Sequence, residues 1–196
     1  MNFLAHALLA GDDPALIVGG VVGDWIKGRL PAGLPDDLAH GVALHRAIDS
    51  HAETHAAFKQ SRARISVERR RYAGVLVDVF YDHLLAKHWQ TRHTQPLAQF
   101  CAEVYGHIEH RWQDLPPESH PALRVMMREN WLQSYVELQG IAQILARMSL
   151  RVRQPDQLLA GEHEFIRHAE GLKADFDHWL ADAESFCAQW RAARQN

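Results

Sequence analysis

Apolar residues recur at intervals of three and four along most of this chain, and nowhere is the alternation of a strand sustained, so the pattern predicts an all-α protein. The longest unbroken pattern runs from Arg71 to Trp89, RYAGVLVDVFYDHLLAKHW. Between positions 73 and 86 it is apolar nearly all the way round a helical wheel, as in a helix buried on every side. Asp78, Tyr81, Asp82 and His83 interrupt it.

Other segments repeat this design of an apolar run with isolated polar residues. A short first helix from about Asn2 to Ala10 ends at Gly11 and carries His6 as the only polar residue between Phe3 and Ala10. A second should start at Asp13-Pro14, an N-cap followed by proline in the first turn, and reach about Lys27. Its only polar residue between Ala15 and Ile26 is Asp24, and its glycines at 19, 20 and 23 suggest close approach by another backbone or a ligand. A third, from Pro35-Asp36 to beyond Asp49, sets His45 and Asp49 near the centre of a face with Leu38, Val42, Ile48 and Ala52.

Beyond Trp89 the pattern predicts packing and little chemistry. An amphipathic helix spans Pro96 to Trp112. Another starts at Ser119 or His120 and keeps its apolar spacing from Leu123 to Met148, and the last runs from about Glu162 with an aromatic stripe ending at Trp190. Such stripes are core positions, and a single helical bundle over residues 1–196 results.

The lone polar residues of these runs are His6, Asp24, His45, Asp49, Asp78, Asp82 and His83. Four aspartates would bring four negative charges into one core, and no lysine or arginine lies in the same runs to offset them. Buried carboxylates must be paired, protonated or metal-bound, and a divalent cation answers all four at once. Imidazole and carboxylate ligands without thiolate suit Mn²⁺, Fe²⁺ or Zn²⁺, and Mg²⁺ where carboxylates dominate. A salt-bridged polar core is the other reading.

Composition narrows the class. With 47% hydrophobic and 23% charged residues the chain is an ordinary globular one, long enough for a full core and not for obvious subdivision. No apolar run reaches the roughly 18 residues of a membrane span, and MNFLAHALLAGDD lacks the basic lead and cleavage site of a signal peptide, so a cytoplasmic protein is expected. Cys101 and Cys187 form no CxxC pair. The net charge of −3 hides an asymmetry: Lys59, Arg62, Arg64, Arg69, Arg70 and Arg71 lie close together with Glu68 as the only acid among them. Such a patch faces an anionic partner or is a solvated helix end, and without interleaved aromatics it is a poor nucleic-acid binder.

The segments NFLAH (Asn2 to His6), GDWIKG (Gly23 to Gly28), GVALHRAIDSH (Gly41 to His51) and RRYAGVLVDVFYDHLLAKHW (Arg70 to Trp89) resemble, in order, the acyl carrier protein phosphodiesterases, also called holo-acyl-carrier-protein hydrolases. That resemblance implies a divergent HD-type all-α metallohydrolase that removes 4′-phosphopantetheine from the serine of an acyl carrier protein, with Mn²⁺ as the usual activator. The chain departs from the family after Asp49, where IDxFTDxHP gives way to Ile48-Asp49-Ser50-His51-Ala52-Glu53-Thr54-His55-Ala56, so Glu53 would stand on a longer arm in place of the second acid.

Phosphodiester hydrolysis needs activated water, neutralised phosphate oxygens and a stabilised leaving alkoxide. His6, Asp24, His45, Asp49, Asp82 and His83 are the expected metal ligands, with Asp24 essential to the chemistry. His51 or His55 is the expected proton donor, and Asp78 is expected to hold a ligand histidine in place. Lys27, Arg62, Arg64, Arg69 and Arg70 are the expected docking residues for the acidic carrier. Two other readings remain: an HD-like hydrolase of nucleotides or another small phosphodiester, and a non-catalytic binding module with structural acids.

Overall fold

A computed structural model describes residues 3–194, which form ten α-helices joined by short turns, with no strand among them. Asn2, at the start of the first predicted element, lies outside the described residues. The helices are α1 (Phe3–Leu9), α2 (Pro14–Val22), α3 (Asp36–Thr54), α4 (Ala56–Arg64), α5 (Ala73–Lys87), α6 (Leu97–His110), α7 (His120–Arg128), α8 (Trp131–Ser134), α9 (Leu138–Ser149) and α10 (Glu162–Ala192). None of them is long and apolar enough to cross a membrane.

The α5 helix is the buried centre that its pattern predicts: Leu76, Val77, Val79, Phe80, Tyr81, Asp82, His83 and Leu85 are all almost completely enclosed. Helices α1, α4, α9 and α10 pack on it from different sides. The α10 helix, 31 residues long with a break at His168, ties the bundle together through two buried acids. Asp175 accepts from Ser61 Oγ at 2.9 Å and from Arg64 Nε at 2.8 Å, and Ser61 in turn meets the Tyr81 hydroxyl at 3.0 Å, which joins α4, α5 and α10. Glu164 accepts from the Ser66 amide at 3.0 Å.

Three predicted boundaries differ from the observed ones. The second helix stops at Val22, five residues early, and continues as a 3-10 turn over Gly23–Trp25 that turns Asp24 out of the helical register. The segment before Ala73 is likewise a 3-10 turn, Val67–Tyr72. The helix read from Ser119 to Met148 is three helices, interrupted where Asn130 adopts a left-handed φ of 48°. Apolar spacing persisted across that break because all three pieces face the same core. Asp13 does cap α2, accepting from the amides of Ala15 and Leu16.

The tightest packing lies between α2 and α3. A Cβ on Gly19 would stand 2.5 Å from the Gly41 backbone, and one on Gly41 would stand 2.5 Å from the Ala15 carbonyl oxygen, so these helices touch backbone to backbone. Gly41→Ala is expected to force them apart at a cost of about 1–3 kcal/mol, as overpacked core sites do. Chemical denaturation checks this, and unchanged stability would show that the helices have room to move.

Candidate metal centre

The approach of α2 to α3 seats one imidazole. The Nδ1 of His45 lies 2.8 Å from the Gly20 carbonyl oxygen, which can only accept, so this nitrogen carries the proton. A Cβ on Gly23 would collide with the ring at 2.3 Å, so glycine there leaves the space that His45 fills. The remaining nitrogen, Nε2, then presents a lone pair toward Asp49 Oδ2 at 3.2 Å and Asp24 Oδ1 at 3.8 Å.

A second imidazole comes from α1. His6 stacks on His45 with ring centroids 4.1 Å apart, and its Nε2 lies 3.1 Å from Asp49 Oδ1. The two oxygens of Asp49 thus each meet a different histidine. Both rings are buried, whereas the Asp49 side chain is 48% exposed. Ligating atoms of His6, His45 and Asp49 all lie within 4.8 Å of one another, close enough to share one ion.

The electrostatics fit a cation between them. A neutral His45 sets a lone pair against a carboxylate oxygen, an arrangement that a proton or a metal ion must relieve. Nδ1 fixed on a backbone carbonyl with Nε2 left to coordinate is the usual state of a metal-bound histidine. Burial and the neighbouring His45 push the His6 pKa down to about 4, against the pull of Asp49. Burial raises Asp49, but its contacts with His45 and His6 outweigh it and hold the carboxyl well below the ordinary range. The cluster therefore favours a neutral His6 beside an ionised carboxylate, the states that metal ligands take.

Two spaces open beside it. One of about 430 Å³ is bordered by Asp24, Asp49, Asp78, Glu53, Arg62 and Arg71, and the other, of about 280 Å³, by Asp24, Lys27, His45, Arg46 and Asp49. Asp78, partly buried on α5, has its pKa raised by burial and, to a lesser extent, by Asp49 and Asp24. Three aspartates therefore converge on one polar cavity.

Comparison with known proteins bears on this geometry directly. The profile described as acyl carrier protein phosphodiesterase matches residues 1–183. The chain belongs to that family. Among its relatives, proteins named acyl carrier protein phosphodiesterase are 34% identical in Pectobacterium atrosepticum, over 77% of this chain and 79% of that one, and 29% identical in an Enterobacter species, over 90% and 92%. A Salmonella dublin relative of the same name is 29% identical over 91% of this chain and 93% of its own. No solved structure matches the chain significantly.

Within this family member, His6, Asp24, His45 and Asp49 come together as expected, and Asp82 and His83 do not. Asp82, fully buried, accepts from the amides of Leu4 at 3.0 Å and Ala5 at 2.9 Å, satisfying the first turn of α1. Its pKa rises to about 7 through burial, against the pull of those two amides. His83 points its Nδ1 to the Tyr135 carbonyl at 2.7 Å and meets Phe165 edge-on. Asp78, expected to serve in support, instead borders the cavity. The two helix positions differ by one turn, and the deeper one meets α1.

His51 and His55 face away from the cluster. His51 lies flat against Phe186 of α10 at 4.5 Å between centroids, while His55 caps α4 through the Ala57 amide and bonds Asp182 at 3.0 Å. Neither borders the cavities, which removes the reason for reading them as proton donors. Glu53 does reach the rim, paired with Arg62 at 2.7 Å. Of the basic patch, Arg64 is taken by Asp175, and Arg69 donates to the Gln157 carbonyl at 2.8 Å and lies 3.8 Å from Glu164, so both are structural. Lys27, Arg70 and Arg71 are exposed.

Neutral His6 gains a proton more readily in the unfolded chain, near its ordinary 6.5, than in the fold, near 4. Its contribution is therefore fully present above pH 6.5 and lost as the pH falls toward 4. The depressed Asp49 acts in the same direction at lower pH. The thermal midpoint of chelated protein is expected to fall steadily from pH 6.5 to 4, with a shallower fall in His6→Gln; equal slopes would contradict the assignment. Asp82 and Asp49 separate by a second measurement. Asp82→Ala strands two amides and should cost about 2 kcal/mol and, by loosening α1 and His6, weaken Mn²⁺ binding without abolishing it, whereas Asp49→Ala should abolish binding with little change in helicity by circular dichroism. Loss of metal in Asp82→Ala, with the fold intact, would return Asp82 to the ligand set.

Proposed function

We propose that this chain hydrolyses the phosphodiester between 4′-phosphopantetheine and the serine of holo-acyl carrier protein, as a divergent HD-type metallohydrolase. The carrying observation is the pair of buried imidazoles, His6 and His45, sharing the two oxygens of Asp49 at the edge of a cavity lined by two further aspartates. Family membership over residues 1–183, and the name that its relatives bear, support the same substrate.

His6, His45 and Asp49 would hold the ion, with Asp24 beside His45 and Asp78 across the cavity in the place first given to Asp82 and His83. Mn²⁺ suits this nitrogen and oxygen donor set, as do Fe²⁺, Zn²⁺ and Mg²⁺. A divalent ion there supplies a hydroxide nucleophile at neutral pH and charge neutralisation at the phosphate. The chain's own residues do the rest. The Gly20 carbonyl fixes the tautomer of His45, Asp82 holds α1 and thereby His6, and the Glu53–Arg62 pair and Arg71 line the entrance that the phosphate must pass.

The docking surface is narrower than the sequence patch. With Arg64 and Arg69 engaged inside the protein, Lys27, Arg70 and Arg71 are the cations left to meet an acidic carrier, and Arg62 stands at the cavity rim. Arg70 borders neither cavity, where a nucleotide or another small phosphodiester would not reach it, and the relatives are named for the carrier, so the carrier reading is preferred.

Mass spectrometry of holo-carrier incubated with the purified protein tests the proposal. Conversion to the apo form is expected with Mn²⁺, to stop with chelator, and to return on adding metal back. Asp24→Ala should lower turnover by at least a hundredfold with helical content unchanged, in line with loss of a group that acts at the reacting phosphate. Absence of conversion with every divalent ion would refute the carrier as substrate.

A further inference from the structure

An apolar cavity of about 400 Å³ lies beside the polar one. Its wall includes Phe3, Trp25, Val75, Tyr135, Ile144 and Met148. Val75 borders both spaces, and on α5 it precedes Asp78 by three residues, so the two share a helix face. Trp25 follows Asp24 in the chain and stacks on Phe3, with centroids 5.7 Å apart and planes within 4°. The segments that set Asp24 and Asp78 around the polar cavity therefore also build the apolar one.

A phosphodiester seated at the aspartates has two ester arms. One belongs to a folded carrier protein, which cannot enter a cavity; the other is a slender chain, which can. The arm's amides would lose water against this wall without finding partners, whereas a hydrocarbon chain only gains by entering. Of the two guanidinium groups at the wall, Arg147 is paired with Glu129 and lies 5.5 Å over the Trp131 ring. Arg151, beside the exposed Leu150, is the other.

We propose that this cavity binds the acyl chain thioester-linked to the far end of the phosphopantetheine arm, so that the enzyme reads chain length on acylated carriers. The proposal rests on the phosphodiesterase reading above. The polar part of the arm stays in the open space bordered by Glu53, Arg62 and Arg71, and its hydrocarbon end passes Val75. At about 30 Å³ for a water-sized group, to which a methylene is close in size, the volume of about 400 Å³ holds roughly a dozen carbons.

The test measures kcat/KM of Mn²⁺-loaded enzyme on holo-carrier and on carriers bearing acetyl, hexanoyl, decanoyl and hexadecanoyl chains. Values are expected to rise from acetyl to decanoyl, by up to about fourfold per methylene, and to rise no further at hexadecanoyl, which exceeds the volume. Val125→Phe and Met148→Phe, each filling the cavity from a different helix, should shift the optimum to hexanoyl or shorter and leave holo-carrier turnover unchanged. A profile flat in chain length, or a decanoyl optimum retained in both variants, overturns the proposal. Failure on every carrier, holo included, counts instead against the phosphodiesterase reading, and calorimetry then decides the cavity by itself. S-decanoylpantetheine binding more tightly than pantetheine, with the difference lost in Val125→Phe, supports the site, and equal binding overturns it. Free decanoate binding as tightly as the thioester, and depending on Arg151, would assign the cavity to fatty acids and also overturn it.

Discussion

The backbone contact between α2 and α3 is the constraint on which the site depends. Glycines at 19 and 41 let the helices meet without side chains between them, and that closeness places the Gly20 carbonyl within reach of His45. The carbonyl then dictates which nitrogen of His45 is protonated. In that tautomer Nε2 faces Asp49 and Asp24, and the His6 ring stacks on His45. A helix pair spaced by ordinary side chains would carry the Gly20 carbonyl and Asp24 away from His45.

The polar groups of the core divide by what they do with their charge. Asp175 and Glu164 are matched by arginines and a backbone amide, and hold α10 to the bundle. Asp82 is matched by two backbone amides at a helix start, where a negative group is welcome. Asp24, Asp49 and Asp78 instead converge on one cavity, and two buried imidazoles stand against Asp49. The first two kinds stabilise the fold, and the third stands at the edge of a space that a ligand can enter. Arginines from the basic stretch fall on both sides of this division, which is why their number in the sequence overstated the docking surface.

The all-helical class, the buried α5 and the ligands on α1 and α3 were legible because apolar periodicity marks each run and a lone polar residue stands out against it. What sequence could not resolve was the partner of each residue. Asp78 and Asp82 are a turn apart on nearly the same face, and the choice between them depends on where the first turn of α1 sits, a contact 78 positions away. His51 and His55 were credited for being near Asp49 in the chain, yet the helix turns both toward α10. The pattern from Leu123 to Met148 also hid the break at Asn130, since a left-handed residue leaves apolar spacing intact. The turn at the buried Gly23, which carries Asp24 out of the helix, was visible only as poor helix formers.

Asp82 also sets an order of assembly. His6 precedes Asp82 by more than seventy residues, so the helix that carries it is completed by a side chain that emerges from the ribosome well after it. At about 5–20 residues per second of synthesis, several seconds pass in which the N-terminal segment has no seat. A contact so distant in sequence is closed late, after the local helices have formed. The grouping of His6 with His45 and Asp49 is therefore complete only once α5 has been made, and a ribosome stalled short of α5 carries a chain in which His6 has no seat beside them.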